Sequence, residues 1–232
     1  MKCYYDLHIH SCLSPCGDGD MTPNNIVNMA LIKGLDIISL TDHNSWGNLE
    51  SVIKAAGDKI LVIPGMEVES SEEVHICCYF PTLEACKEMW EIVKKNMQGI
   101  KNKPEIFGNQ QYMDEEDNII GEEDELLVAA TKLSIDEVFS YTKSLGGVAI
   151  PAHIDRTSYS VISNLGFIPD NLDIKTVEIT PKNRDKLQNE YKKYNIVSNS
   201  DAHYLWDISE PEFFVDIAKK TIADTLEFLC KM

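Results

Sequence analysis

The chain has 232 residues, 44% of them hydrophobic, so it can bury a large core and is not a disordered protein. Its 38 acidic and 21 basic residues give a net charge of −17, which disfavours phosphate backbones and anionic membranes as partners. No apolar run approaches the ~20 residues of a membrane helix. The seven cysteines lack the spacing of a disulfide framework. A soluble, cytoplasmic protein with free thiols is predicted.

Seven short apolar runs, rich in β-branched residues, recur along the chain and are mostly separated by segments of helical periodicity. Such alternation is typical of strand-helix units around a mainly parallel sheet. The run at 74–80 follows the third run after only a short connection, so a hairpin and a parallel crossover are both compatible with it. The seven runs are 3–9, 36–40, 60–64, 74–80, 147–152, 176–179 and 195–198.

Four helices are predicted between these runs from capping residues and periodicity. Thr22 and Pro23 provide an N-cap and a first-turn proline, and the helix that they begin ends at Lys33 and Gly34. The other helices are predicted at 48–57, 82–97 and 134–145.

Residues 82–133 interrupt the alternation of strand-like and helical segments. They are predicted to form an insertion in a single domain of residues 1–232. After its first helix the segment has weak periodicity, and it carries eight acidic residues between positions 114 and 125. Two structures are compatible with this composition: a solvated acidic loop, or a lid that shapes access to a site.

All six histidines lie at or near the ends of the strand-like runs, together with several acidic residues. In a parallel α/β barrel the carboxyl ends of the strands meet around one mouth, so the predicted topology brings these side chains together. No histidine is left for the helices or the insertion. The set is His8 and His10, Asp42 and His43, Glu67, His75, His153 and Asp155, and Asp201 and His203.

This set has the chemistry of metal ligands. His8 and His10 are two apart on a strand and point to the same side, so both can donate an imidazole nitrogen to one cation. A carboxylate such as Glu67 can bridge two cations at the short separation that two-metal hydrolases use. Imidazole with carboxylate suits Zn, Mn or Fe. A metal site is therefore predicted at the barrel mouth.

Four of these segments resemble, in the same order, the motifs of the PHP family, which is named for polymerase and histidinol phosphatase. The resemblance implies a distorted seven-stranded (β/α) barrel, here with a helical and acidic insertion, that holds two or three divalent metal ions. The segments are "DLHIHS" at 6–11, "TDHN" at 41–44, His75 with "PAHID" at 151–155, and "SDAH" at 200–203.

The resemblance also implies a ligand for each metal. His8, His10, Glu67 and Asp201 would form one site, Glu67 would bridge to a second site with His75 and His153, and His43 and His203 would belong to a third. The family's further ligand to the third metal comes from the loop after the first motif. The stretch "CGDGDMTP" at 16–23 matches that loop only in part, which favours Asp18 and leaves Cys16 as the alternative.

Three residues are predicted to act in catalysis rather than as ligands alone. Asp42 is expected to orient an imidazole or polarise a water molecule, and Asp42 or His203 could give a proton to the leaving group. Arg156 is one of two arginines and could hold phosphate as a bidentate clamp, although a surface ion pair is equally compatible with its position. The other arginine, Arg184, is a second candidate at the rim.

The predicted function is a metal-dependent phosphoesterase in which a metal-activated water attacks phosphorus at a di- or trinuclear centre. The acidic charge favours a small phosphorylated metabolite or nucleotide as substrate and makes extended nucleic acid an unlikely partner. Two alternatives stay open. One is an amidohydrolase-type hydrolase of C–N or C–O bonds, which also begins with His-x-His, and the other is a non-catalytic metal-binding regulatory module.

Overall fold

A computed structural model describes residues 1–231 and has a mixed α/β fold. Each of the seven strand-like runs overlaps a strand. Three further strands, at Gln111–Met113, Ile119–Glu122 and Phe214–Asp216, were not predicted. The strands within these residues are β1 (Lys2–Ile9), β2 (Ile37–Leu40), β3 (Leu61–Glu69), β4 (His75–Tyr79), β5 (Gln111–Met113), β6 (Ile119–Glu122), β7 (Val148–Pro151), β8 (Thr176–Glu178), β9 (Asn195–Val197) and β10 (Phe214–Asp216).

The four predicted helices are present, and their caps follow the sequence. The Thr22 hydroxyl accepts a hydrogen bond from the amide of Asn25, and Ser134 forms a capping box with Glu137. The helices within residues 1–231 are α1 (Pro23–Ile32), α2 (Leu49–Ala56), α3 (Leu83–Asn96), α4 (Pro104–Phe107), α5 (Ile135–Ser144), α6 (Val161–Leu165), α7 (Arg184–Leu187) and α8 (Ile222–Cys230). None of them is both long enough and apolar enough to cross a membrane.

Six strands form one sheet in the order β10-β1-β2-β3-β4-β7. The pairs β1–β2 and β2–β3 are parallel, whereas β3–β4, β4–β7 and β1–β10 are antiparallel. The run at 74–80 is therefore the second strand of a hairpin, not the end of a crossover. Only two of the five pairings in this sheet are parallel, so the predicted mainly parallel sheet holds for β1, β2 and β3 alone.

The parallel pair β8–β9 lies between β7 and β1. On one side the amide of Ile154, just after β7, donates to the carbonyl of Glu178 at 2.9 Å. On the other side Ile9 of β1 forms a parallel bridge with Ala202. The sheet and the pair thus surround a common interior, and one of the two apolar clusters packs β1, β4 and β7 against α8 through Leu226 and Leu229.

The segment 82–133 is an ordered part of the structure. Its β5–β6 hairpin lies against the loop that follows β1, where the amide of Gln111 donates to the carbonyl of Cys12 at 3.1 Å and the amide of Cys16 donates to the carbonyl of Phe107 at 3.2 Å. Asn48, at the start of α2, accepts a hydrogen bond from the amide of Met113 at 2.8 Å. These contacts place the insertion beside the end of the fold where the histidines converge.

Candidate metal centre

All six histidines come together at one end of the fold, as the sequence predicts, and Glu67 lies at their centre. The Glu67 side chain is fully buried on β3, and nitrogen atoms of five imidazoles surround its two carboxylate oxygens. The nitrogen-oxygen distances are 2.9 Å to His43, 3.0 Å to His75, 3.2 Å to His8, 3.4 Å to His153 and 3.5 Å to His10.

Asp201 forms the second carboxylate of the cluster. Its Oδ1 lies 3.0 Å from Nε2 of His10 and 3.3 Å from Nε2 of His8, and its Oδ2 lies 2.6 Å from Nη1 of Arg156. The backbone of Asp201 has a φ of 53° and that of His153 a φ of 30°, values that non-glycine residues adopt at a cost. The local strain at two of these positions is typical of a functional site.

The donor atoms of the cluster lack ordinary hydrogen-bond partners within the described residues. Both oxygens of Glu67, both ring nitrogens of His153, Nδ1 of His43 and Nε2 of His75 are buried and unsatisfied. Nε2 of His8 and Nε2 of His10 also face each other at 3.1 Å. Buried polar atoms are normally paired, and convergent lone pairs are stabilised by a cation that they share. The donor set therefore fits divalent metal ions.

The donors divide into overlapping groups whose ligand atoms lie within 4.8 Å of one another. His8, His10 and His43 each belong to two of the groups. The groups are His8, His10 and Asp201; His43, Glu67 and His75; His10, His43 and His203; and His8, Cys77 and Glu178.

The two predicted ligands in the loop after the first motif lie apart from the donor groups, so a ligand from this loop stays a prediction. The predicted Asp18 and its alternative Cys16 both lie outside the donor groups of residues 1–231. The Asp18 carboxylate instead accepts a hydrogen bond from the amide of Asp20 at 2.9 Å, and its own amide donates to the carbonyl of His203. Asp18 therefore fixes the backbone beside His203. In the donor group that contains His43 and His203, the third donor is His10.

Glu67 and Asp201 are held as carboxylates by their surroundings. Burial acts to raise the pKa of Glu67, but the imidazoles of His75, His8 and His43 hold that pKa well below its usual range. Burial also acts to raise the pKa of Asp201, and His8 and His10 outweigh it and hold this pKa well below its usual range. Both groups can thus offer charged oxygens to cations at neutral pH.

The Asp42 side chain is hydrogen-bonded to two serine residues, one of which contacts His10. Its buried carboxylate accepts hydrogen bonds from the amide and hydroxyl of Ser11, each at 2.7 Å, and from the hydroxyl of Ser14 at 2.6 Å. Ser14 lies 3.0 Å from Nδ1 of His10. Proton donation by Asp42 stays a prediction, and both of its oxygens accept hydrogen bonds from Ser11 and Ser14. Its other predicted role, orienting an imidazole, matches this geometry.

Glu178 is a buried neighbour of the cluster that the sequence interpretation missed. Its Oε2 lies 3.1 Å from Nδ1 of His8 and accepts a hydrogen bond from Asn199 at 2.7 Å, and its Oε1 accepts from the amide of His153 at 3.0 Å. A carboxylate on the far nitrogen of a ligating histidine fixes the tautomer and the ring orientation. The sequence feature that could have revealed it is an acid inside the apolar strand β8.

Replacing Glu178 with glutamine is expected to lower metal affinity by about 10- to 100-fold, because the neutral amide no longer orients His8 or increases its basicity. The two side chains have nearly the same size, so the fold should persist. Competition with a chromophoric chelator measures the affinity, and Glu190→Gln, at an exposed position, is the matched control. An unchanged affinity would show that Glu178 does not act through His8.

The two arginines occupy different environments. Arg156 pairs with Asp201 and keeps 44% of its side chain exposed, so it lies at the edge of the donor cluster. Arg184 donates to the hydroxyl of Ser198 at 3.1 Å and lies over the ring of Phe213, so the fold itself holds its guanidinium. Only Arg156 is placed next to a candidate metal ligand.

Comparison with known proteins identifies the family. The profile of the PHP domain family matches residues 6–161. The chain belongs to the PHP domain family. An uncharacterized protein of Methanocaldococcus jannaschii is 29% identical over 193 residues, which make up 81% of this chain and 21% of that protein. This PHP chain thus spans about a fifth of the length of that relative.

Solved structures share the fold of this PHP chain. Endonuclease Q of Pyrococcus furiosus, a lesion-specific endonuclease, aligns with a TM-score of 0.74 and 20% identity over 99% of this chain and 56% of its own length. A candidate metal-dependent phosphoesterase of Bifidobacterium adolescentis aligns with a TM-score of 0.61 and 17% identity over 97% of this chain and 95% of its own length. The chain has the family, the fold and the donor cluster of a metal-dependent hydrolase.

The prediction that extended nucleic acid is an unlikely partner was wrong. The same fold, with a TM-score of 0.70 over 98% of this chain, occurs in endonuclease Q solved with a 27-mer duplex that carries an abasic lesion at the active site. The net charge of −17 is a sum over the whole chain, whereas the field at a phosphate-binding site is set by its nearest groups, including bound cations.

Proposed function

We propose that this chain hydrolyses phosphodiester bonds in nucleotides or nucleic acid at a centre of two or three divalent cations, with Zn, Mn and Fe as the candidate ions. The observation that carries the proposal is the set of buried nitrogen and oxygen atoms around Glu67 that approach one another without the geometry of hydrogen bonds. The proposed ligands are His8, His10, His43, Glu67, His75, His153, Asp201 and His203. We place them at the mouth of a seven-stranded barrel in a single domain, with β8–β9 completing the wall.

The cations, when bound, would activate a water molecule for attack on phosphorus and would offset the charge of the phosphate oxygens. The protein contributes the preorganised ligands. Glu67 reaches donors of several groups at once and has the position of a bridging carboxylate. Glu178 fixes the ring of His8 through its Nδ1, and Ser14 fixes the ring of His10 through its Nδ1.

Two residues at the edge of the cluster act on the substrate itself. Arg156 offers guanidinium donors to the non-bridging phosphate oxygens, next to Asp201. His203 is the least buried histidine of the cluster, with 22% of its side chain exposed, and when only two cations are bound it is not a ligand and gives a proton to the departing oxygen. The oxygen-phosphorus bond to the leaving group breaks as the water oxygen forms its bond to phosphorus.

A nucleotide or nucleic acid substrate agrees with the fold shared with endonuclease Q, solved with a duplex substrate. The small phosphorylated metabolite predicted from the charge is the narrower alternative. It agrees with the fold shared with the candidate phosphoesterase, which matches this chain along nearly its full length.

The experiment that tests the proposal is a hydrolysis panel with purified protein supplied with Mn, Zn or Fe. The panel contains dinucleotides, single-stranded and duplex oligonucleotides, sugar phosphates, and amide and lactone substrates. Phosphodiester hydrolysis that is lost with a chelator and in His10→Ala is the expected result. If the protein hydrolysed only small phosphomonoesters, the substrate would be a small phosphorylated metabolite and not a nucleotide or nucleic acid. A fully metallated protein that cleaves nothing in the panel would contradict the proposal.

A further inference from the structure

Two exposed aromatic residues follow the last histidine of the cluster directly in sequence. Tyr204 and Trp206 stack with their ring centroids 5.0 Å apart and an interplanar angle of 17°. Trp206 remains 69% exposed and Tyr204 39% exposed. A stacked pair with an open face is a flat apolar surface of the kind on which a planar ligand stacks.

The backbone that carries this pair is fixed by a buried lysine. Nζ of Lys33, the residue that follows α1, donates to the carbonyl of Trp206 at 2.8 Å and to the carbonyl of Ile208, and it pairs with Glu210 at 3.1 Å. Only 12% of the Lys33 side chain is exposed. The Trp206 ring is thus presented on a backbone that is already ordered, which reduces the entropy lost when a ligand binds.

Trp206, one residue of the aromatic pair, lines a cleft that reaches the donor cluster at Asp201. Trp206, Arg156 and Asp201 all line a cleft of about 520 Å³. Asp201 belongs to a donor group, and Arg156 is the proposed phosphate clamp. A phosphate that contacts Arg156 beside the donor cluster would therefore place its attached group in the part of the cleft that Trp206 lines.

The charge along the cleft determines which part of a nucleotide fits at the aromatic end. Asp207, Glu210 and Glu212 line this cleft with Trp206. Carboxylates repel phosphate, but they accept hydrogen bonds from the exocyclic amino groups of bases. The aromatic end therefore favours a base, and the end with Arg156 favours the phosphate.

We propose that Tyr204 and Trp206 form a base-stacking subsite for a nucleotide adjacent to the phosphate that is cleaved. This inference rests on the proposed function, because it assigns the group attached to the hydrolysed phosphate. The subsite would let the chain select nucleotide substrates over phosphoesters that lack a base. It would also allow an acidic chain to bind nucleic acid by stacking rather than by a basic groove.

The test compares dinucleotides with matched dinucleotides in which one or the other base is replaced by hydrogen. With Trp206→Ala, kcat/KM for the complete dinucleotide is expected to fall by about 5- to 100-fold, the range for loss of one base-aromatic stack. One of the two abasic dinucleotides should show no effect of the substitution, and Trp206→Phe should retain most of the activity. Ile120→Ala, which removes an apolar side chain that is 66% exposed on β6, is the matched control and should behave as wild type.

Three outcomes would overturn the subsite. In the first, Trp206→Ala lowers kcat/KM equally for all three substrates. In the second, it leaves kcat/KM unchanged for all three. In the third, it changes only the oligomeric state measured by sedimentation, which would make the aromatic pair a protein-protein contact. Failure of the proposed function is distinguishable, because wild type would then cleave none of the three. Binding is then read from quenching of tryptophan fluorescence by nucleoside monophosphates, and quenching that persists in Trp206→Ala would again overturn the subsite.

Discussion

Glu67→Gln is expected to lower phosphodiester hydrolysis by at least about 100-fold, which is the upper end of the loss typical for residues that act only through a ligand. The reason is that the Glu67 oxygens lie within 3.5 Å of five imidazoles, so one neutral amide disturbs several donor groups at once. The number of bound metal ions per chain should fall in parallel. Elemental analysis and steady-state kinetics measure the two effects.

The matched control for this substitution is Glu88→Gln, which makes the same chemical change at an exposed position on α3. Circular dichroism verifies that both variants are folded. If Glu67→Gln kept the metal content and the activity of wild type, Glu67 would not be a ligand, and the buried cluster would need a different explanation.

Arg156→Ala is expected to reduce kcat/KM for phosphodiesters by about 10- to 100-fold, because a hydrogen bond to a charged group is worth ~1.5–3 kcal/mol. Arg156→Lys should recover only part of the loss, since lysine retains the charge but not the planar fork that matches a phosphate. The metal content should stay at the wild-type value. That combination separates substrate binding from support of Asp201, with which Arg156 pairs at 2.6 Å.

Arg184→Ala is the comparison at the second arginine, whose guanidinium is occupied by Ser198 and the ring of Phe213. It should leave KM unchanged. A loss of metal in Arg156→Ala, or an equal loss of kcat/KM in both variants, would show that Arg156 has a structural role and does not hold phosphate.

The sequence was sufficient for the parts of the fold and site that depend on short-range patterns. Each strand-like run overlaps a strand, and the caps at Thr22 and Ser134 are where the residue types indicate. The histidines meet because their segments end at the same side of the fold. Glu67 was one of several acids at these segment ends, and the resemblance to the PHP family gave it the bridging role; its oxygens lie among the imidazoles.

The features that were missed depend on which partner a side chain selects across the fold. Asp18 was favoured over Cys16 on a partial match to a motif, and its carboxylate accepts a hydrogen bond from the nearby amide of Asp20. Glu178 appeared to be an ordinary strand residue until β8 was placed beside His8. The direction of β4 could not be read from its composition, because the same apolar run suits a hairpin and a crossover.

The incorrect prediction that extended nucleic acid is an unlikely partner has a physical explanation. Net charge is an average over the chain, and many of the acids lie in the insertion rather than at the cleft. The local arrangement combines a cluster suited to cations, one arginine and an exposed aromatic pair. Divalent cations and stacking can bind a nucleotide without a basic surface.

The measurement that tests the central claim most directly is the metal content of wild-type protein. The protein is incubated with excess Mn, Zn or Fe, freed of unbound metal and analysed for metal ions per chain. The donor cluster predicts two or three bound ions, with release of all of them when the histidines are protonated at acidic pH. A folded chain that retains less than one ion with each of the three metals would contradict the account.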